Sequence, residues 1–158
     1  MLVKGIMQTK RAGYSFIETI IIVIFLGIIA AIAVPKLNFS LTSKQQAETT
    51  AAKIVTDLRR TRMLSIDNAA TNTAGFAMNM TGGGAYTGYE IQNLDTSVVE
   101  DSHTIDSDIS CTGGENFKFG PLGNLLEGSD NQIIVSASGK TLTITITPAT
   151  GMIKCEEN

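Results

Sequence analysis

From Tyr14 to Pro35 the chain carries one formal charge, Glu18, inside an otherwise apolar run. About 22 residues of helix rise roughly 33 Å, close to the thickness of a bilayer's hydrocarbon core. A lone carboxylate inserted there costs at least about 2.5 kcal/mol, so Glu18 needs a cationic partner. A basic stub, Lys10-Arg11, precedes the run, and Gly13 stands at the junction. A cut after Gly13 makes Tyr14 a new N-terminus. Its ammonium then lies one helical turn from Glu18, at i to i+4. The ammonium of a neighbouring copy is the other available cation, and opposite charges attract strongly in low dielectric. A secretory signal is the competing interpretation, with an apolar core of about 7 to 15 residues followed by small residues. Ala30, Ala31 and Ala33 supply small residues. A secretory signal, however, leaves both Glu18 and the Gly13 junction without a role.

The residues Gly13-Tyr14-Ser15-Phe16-Ile17-Glu18 and the apolar run behind them resemble the class III signal of type IV pilins and pseudopilins. That family has a short basic leader ending in Gly, an aromatic first mature residue, a Glu at the fifth and a long apolar helix. Gly13, Tyr14 and Glu18 match those positions, and Gly27 and Pro35 fall where the family commonly carries Gly and Pro. Tyr14 replaces the usual Phe, and Ser15-Phe16 the usual Thr-Leu. The resemblance implies a prepilin peptidase that cuts after Gly13, methylation of the Tyr14 amine, and assembly through the helix.

The 158 residues suit one membrane helix and one small domain. The expected divisions are a leader at 1–13, a transmembrane and assembly helix at 14–35, an amphipathic helix at 36–69 and a periplasmic β domain at 70–158. Formal net charge is −3, and residues 1–13 hold three of the twelve basic residues and no acid. Their removal leaves nine basic against fifteen acidic residues, near −6. The basic leader should stay cytoplasmic while the acidic remainder crosses. Met7 offers an alternative start with a shorter leader. Cys111 and Cys155 are the two cysteines, and an oxidising periplasm would favour a disulfide between them, about 4 kcal/mol by chain entropy. Two free thiols are the alternative. No Cys-x-x-Cys spacing supports a zinc or thioredoxin-type site.

Gly27 and Ala31 form a small-xxx-small pair that lets helices approach closely. Pro35, without an N–H, should kink or loosen the helix. Beyond it, Ala47, Ala51, Ile54, Val55, Leu58, Arg62 and Ile66 keep helical spacing. One long helix from Phe16 to about Asp67 is expected, with Ile54, Val55, Leu58 and Ile66 laid on a β domain. After Asn68 come strand-like runs between turn signals: 75–80, 86–92, 96–100, 103–109 and 116–119. The clearest hairpin is 132–137, then Ser138-Gly139-Lys140, then 141–147, with Leu142, Ile144 and Ile146 alternating with threonines. Residues 152–155 should close the sheet. The fold class predicted is α+β, a long N-terminal α-helix, half transmembrane and half amphipathic, packed on a small antiparallel β-sandwich-like domain.

Asp57-Leu58-Arg59 with Arg62, the run Phe117-Lys118-Phe119-Gly120-Pro121-Leu122-Gly123, and Gly151 before Met152-Ile153-Lys154-Cys155 resemble GspH/FimT-type minor pseudopilins and minor pilins. The similarity covers nearly the whole chain, loosely between Thr87 and Glu115. It implies a structural subunit of a type II secretion pseudopilus or a type IV pilus. Its implied partners are prepilin peptidase, other pilin or pseudopilin subunits, an inner-membrane assembly platform and membrane lipid. Its implied place is the bacterial inner membrane, single pass, with the C-terminal domain in the periplasm.

No catalytic constellation stands out, so no enzyme, cofactor or metal is expected. His103 is the lone histidine, expected at the surface, and no nucleophile signature accompanies it. Gly82-Gly83-Gly84 lacks the Lys and Ser/Thr of a phosphate loop and is read as a turn. Asp101, Asp106 and Asp108 do not follow EF-hand spacing. Asn38 and Asn79 open Asn-x-Ser/Thr triplets and are read as chance matches. Arg59, Arg60 and Arg62 form a basic cluster read as a solvated face or as pairing with the acidic domain. Some FimT-like proteins resemble this chain and bind DNA, which makes a DNA-uptake role an alternative. The acidic domain opposes phosphate, so nucleic acid is not the expected partner. A membrane-anchored periplasmic enzyme is a third possibility.

Overall fold

The computed structural model describes residues 15–33 and 39–158. Two compact units divide the chain, Met1–Asn38 and Phe39–Asn158. The first holds helix α1, Phe16–Ala33. The second holds helix α2, Phe39–Asp67, and eight strands.

The expected single helix from Phe16 to Asp67 is therefore overturned. Its outer bounds, Phe16 and Asp67, coincide with the start of α1 and the end of α2, but two helices form, and Pro35 lies outside the described residues. A proline lacks the N–H that a continuous helical ladder needs. The transmembrane half is overturned with it. Among the described residues no helix is long and apolar enough to cross a membrane. Nor is the β part a small appendage, since its strands build two four-stranded antiparallel sheets.

Helix α2 forms because small and apolar residues recur along one stripe. Ala47, Ala51, Ile54, Val55, Leu58, Thr61 and Ser65 are all buried. Ile66, expected on that stripe, is only half-seated at 36% exposure. The helix frays through Asn68, whose side chain Nδ2 donates to the Leu64 carbonyl at 2.9 Å. Gly75, at φ +85°, then turns the chain into the first strand; a Cβ there would strike the Phe119 carbonyl.

Strands β1 (Phe76–Thr81), β2 (Gly88–Asn93), β3 (Val99–Thr104) and β5 (Asn116–Phe119) make one sheet, in the order β3-β2-β1-β5. Strands β4 (Ser110–Gly113), β6 (Gln132–Ala137), β7 (Lys140–Thr147) and β8 (Met152–Glu157) make the other, in the order β4-β6-β7-β8. Helix α2 packs on β1 and β5 of the first sheet and on β6, β7 and β8 of the second. The core between them holds Met78, Ile91, Phe117, Phe119, Ile133 and Ile144, none of which is solvent-exposed. Ser65 stitches helix to sheet. Its Oγ donates to the Phe119 carbonyl at 3.0 Å and accepts from Phe76 N at 3.0 Å.

The hairpin of β6 and β7 forms at its expected place. Ser138 and Gly139 both take positive φ, 49° and 80°, as a two-residue primed turn requires, so Lys140 is a strand residue paired with Ala137. The strands expected at 96–100 and 103–109 are replaced by β3 and β4. The Asn93 side chain accepts from Asp95 N and Thr96 N, and the Asp106 side chain accepts from Asp108 N. These local bonds hold turns where the composition alone reads as strand.

Candidate functional site

Helix α1 has no sheltered side. Phe16, Ile24, Ile21, Phe25, Ile22 and Leu26 point around its whole circumference, and each is at least 46% exposed. Glu18, in its first turn, is exposed and is the only charge on the helix. Gly27 has open space where a Cβ would project, which leaves that part of the surface accessible to another helix. Helices apolar on all sides are found buried, in a core or in lipid. Gly13, Tyr14 and Pro35 lie outside the described residues, so the expected Tyr14–Glu18 contact does too.

The proposed Cys111–Cys155 disulfide does not form. Both thiols are free, Cys111 buried and Cys155 exposed. They sit on β4 and β8, the two outer strands of one sheet, with β6 and β7 between them. Three strand spacings put them about 14 Å apart, beyond the roughly 7 Å between Cα atoms that a disulfide tolerates. Burial pushes the Cys111 thiol up to about 11. Partial burial, and then the Glu156 carboxylate, raise Cys155 as well.

Three segments quoted for the family resemblance converge at one point. Arg62 on α2 donates from Nε to the Gly123 carbonyl at 2.9 Å. Gly123 ends the turn closed by its own N–H on the Gly120 carbonyl at 2.8 Å. Gly151, at φ +63°, packs so tightly that a Cβ there would meet the Gly123 carbonyl and the Arg62 Nε. This ties the helix end, the turn after β5 and the entry to β8 together.

A polar cluster that sequence reasoning missed lies between α2 and the outer part of the first sheet. The Tyr89 hydroxyl donates to Asp57 Oδ2 at 2.6 Å, both side chains being buried. His103 Nε2 stands 3.4 Å from Asp57 Oδ2 and 3.4 Å from Asp101 Oδ2. Arg60 closes on Asp101 Oδ2 at 2.6 Å. Lys53 Nζ lies 3.2 Å from His103 Nδ1. Lysine has only donors, so Nδ1 accepts and Nε2 carries the proton that faces the carboxylates. Desolvation, and then the hydrogen bond to Asp57, raise Tyr89 far above the ordinary phenol range. The Arg60 hydrogen bond holds Asp101 below the usual carboxylate range, and His103 adds to this.

His103 is thus a structural tie, with its side chain only 22% exposed, and not the surface residue expected. The available signal was spacing: Lys53, Asp57 and Arg60 repeat at helical intervals on one face of α2. The cluster joins the outer strand β3 to the helix through paired charges. Asp106 and Asp108 lie apart from it in the turn before β4.

Of the three arginines of the basic cluster, Arg60 pairs with Asp101, Arg62 binds the Gly123 carbonyl, and Arg59 borders a cavity of about 320 Å³ beside Val55, Leu142 and Cys155. Compared with protein-family models, curated proteins and solved structures, the chain matches none.

Proposed function

We propose that this chain is a structural subunit, a minor pseudopilin of a type II secretion system or a minor pilin of a type IV pilus. Prepilin peptidase cuts it after Gly13. The subunit then waits at the bacterial inner membrane with its β domain on the periplasmic side, and the assembly platform moves it into a helical stack of like subunits. One observation carries this reading: α1 exposes apolar side chains on every side, and its single charge sits in the first turn. Such a surface needs lipid or other apolar helices around it. The proposal rests on that exposure and not on α1 crossing a bilayer unaided. The small residues at Gly27 and Ala31 suit close approach of a neighbouring helix. Glu18 sets axial register by meeting the Tyr14 ammonium of its own or an adjacent copy. The DNA-uptake alternative is weaker, because Arg60 and Arg62 are occupied and the chain is acidic overall.

Glu18→Ala provides the test. The variant should still fractionate with membranes and still be shortened by the peptidase, yet fail to enter sheared filaments or pseudopili. Normal incorporation would refute the register role.

A further inference from the structure

Strand β8 is an outer strand, and its free edge is self-complementary. Gly151 N donates to the Thr147 carbonyl at 2.8 Å, and Asn158 N to the Thr141 carbonyl at 3.0 Å. With the β7–β8 register, Thr147↔Met152 through Leu142↔Glu157, these bonds set the alternation. Met152, Lys154 and Glu156 turn their backbone groups toward β7. Ile153, Cys155 and Glu157 therefore turn theirs outward, with no strand partner there among the described residues. An open edge of this kind is a template for another strand.

The other edges are less available. The outer side of β5 is taken by residues 126–130: Leu126 N donates to the Lys118 carbonyl and Asp130 N to the Asn116 carbonyl, each at 2.8 Å. On β4, four residues long, Tyr86 N occupies the Cys111 carbonyl at 2.8 Å. Strand β3 offers Glu100 and Asp101 with no lysine or arginine of its own, so acids would face acids if it paired with itself.

For β8 the charges select one register. Outward-facing residues must meet outward-facing residues. A two-fold axis between Ile153 and Cys155 would set Lys154 against Lys154. One between Cys155 and Glu157 would set Glu156 against Glu156. An axis through Cys155 sets Lys154 of each copy against Glu156 of the other, twice, in the closely spaced non-hydrogen-bonded positions. Lys154 and Glu156 share the face away from the buried Ile153 and already lie 2.5 Å apart within one copy. Glu157, which would lie across from Ile153, keeps its own ion pair with Lys140 at 3.0 Å.

We propose that β8 is a homotypic docking edge, on which a second copy of this chain lays its own β8 antiparallel, centred on Cys155. The two four-stranded sheets then become one eight-stranded sheet, and the interface is isologous. It does not depend on α1 or on the assembly role proposed above. The two Cys155 thiols face each other across the axis with Cα atoms about 5.5 Å apart.

The full-length chain in mild detergent, treated with a short bis-maleimide at pH 8, tests this. The expected product is a dimer joined at Cys155 on both sides by peptide mapping, with a dimer of the same mass by sedimentation before treatment. Lys154→Glu converts two attractive pairs into two repulsive ones and should raise the dimer Kd about tenfold or more, with a matching loss of cross-link. The double variant Lys154→Glu/Glu156→Lys should restore both readouts. A chain that neither cross-links at Cys155 nor sediments as a dimer overturns the proposal. So does a Lys154→Glu variant that cross-links as well as the parent, or a double variant as weak as the single one.

Discussion

Helices α1 and α2 handle the same physical problem in opposite ways. Helix α2 carries mixed polar and apolar residues and hides one stripe, Ala47 through Leu58, against its own sheets. Helix α1 is apolar apart from Glu18 and Thr19 in its first turns and leaves that surface open. The hydrophobic effect stabilises α2 within the fold of one chain, whereas the exposed surface of α1 gains from it only once something covers it. Identical chemistry therefore has different consequences in the two helices: substitution in one should register as lost stability, and in the other as lost association.

The sharpest way to break this comparison is a matched pair. Leu58→Ala, at a site with no solvent exposure, should cost about 2–5 kcal/mol by urea unfolding. Ile24→Ala in α1, 56% exposed, should leave that transition within about 0.5 kcal/mol. Equal losses would mean that α1 is part of the same cooperative unit.

Gly151→Ala comes next. It combines left-handed strain with a collision against the Gly123 carbonyl, and roughly 2–4 kcal/mol should be lost. Gly139→Ala, at φ +80° with open space around it, should lose only about 1 kcal/mol in the same melt. Were the two alike, the junction at Arg62 would contribute little.

Tyr89→Phe removes the donor to buried Asp57 and should cost about 1–3 kcal/mol, readable as a lowered melting temperature at neutral pH. The smallest effect belongs to Asp101→Asn, at a half-exposed pair with Arg60. Because the folded carboxyl sits below its ordinary value of 3.8, its contribution is present above that pH and fades as pH falls below it. Stability curves of the variant and parent should therefore converge in acid and separate slightly toward neutrality.

The helical stripe of α2 and the β6–β7 hairpin were legible in the sequence because each is a local pattern. The buried set Ala47, Ala51, Ile54, Val55 and Leu58 follows a 3.6 period, and Leu142, Ile144 and Ile146 follow a period of two. What failed was nonlocal or side-chain-driven. The cysteine pairing depended on strand order, which places β4 and β8 at opposite edges of one sheet. The strands between 96 and 109 were misplaced because Asn93 and Asp106 cap turns with their side chains. His103 was read as a surface residue because its partners Asp57 and Lys53 lie far away in the chain, on α2. The break between the helices could be anticipated as a weak point at Pro35, but not as a division of the chain into two units.

The bonds that cover α2 impose an order on biosynthesis. Arg62 meets its acceptor Gly123 across 61 residues, and Glu48 meets Lys140 across 92. At about 5–20 residues per second, Glu48 waits some 5 to 18 s for Lys140 to be made. Throughout that interval the helix's stripe of Ile54, Val55 and Leu58 is bare. A chaperone that shields nascent apolar segments would have its longest opportunity here, and a chain halted between Gly123 and Lys140 would leave the helix clasped at one end only.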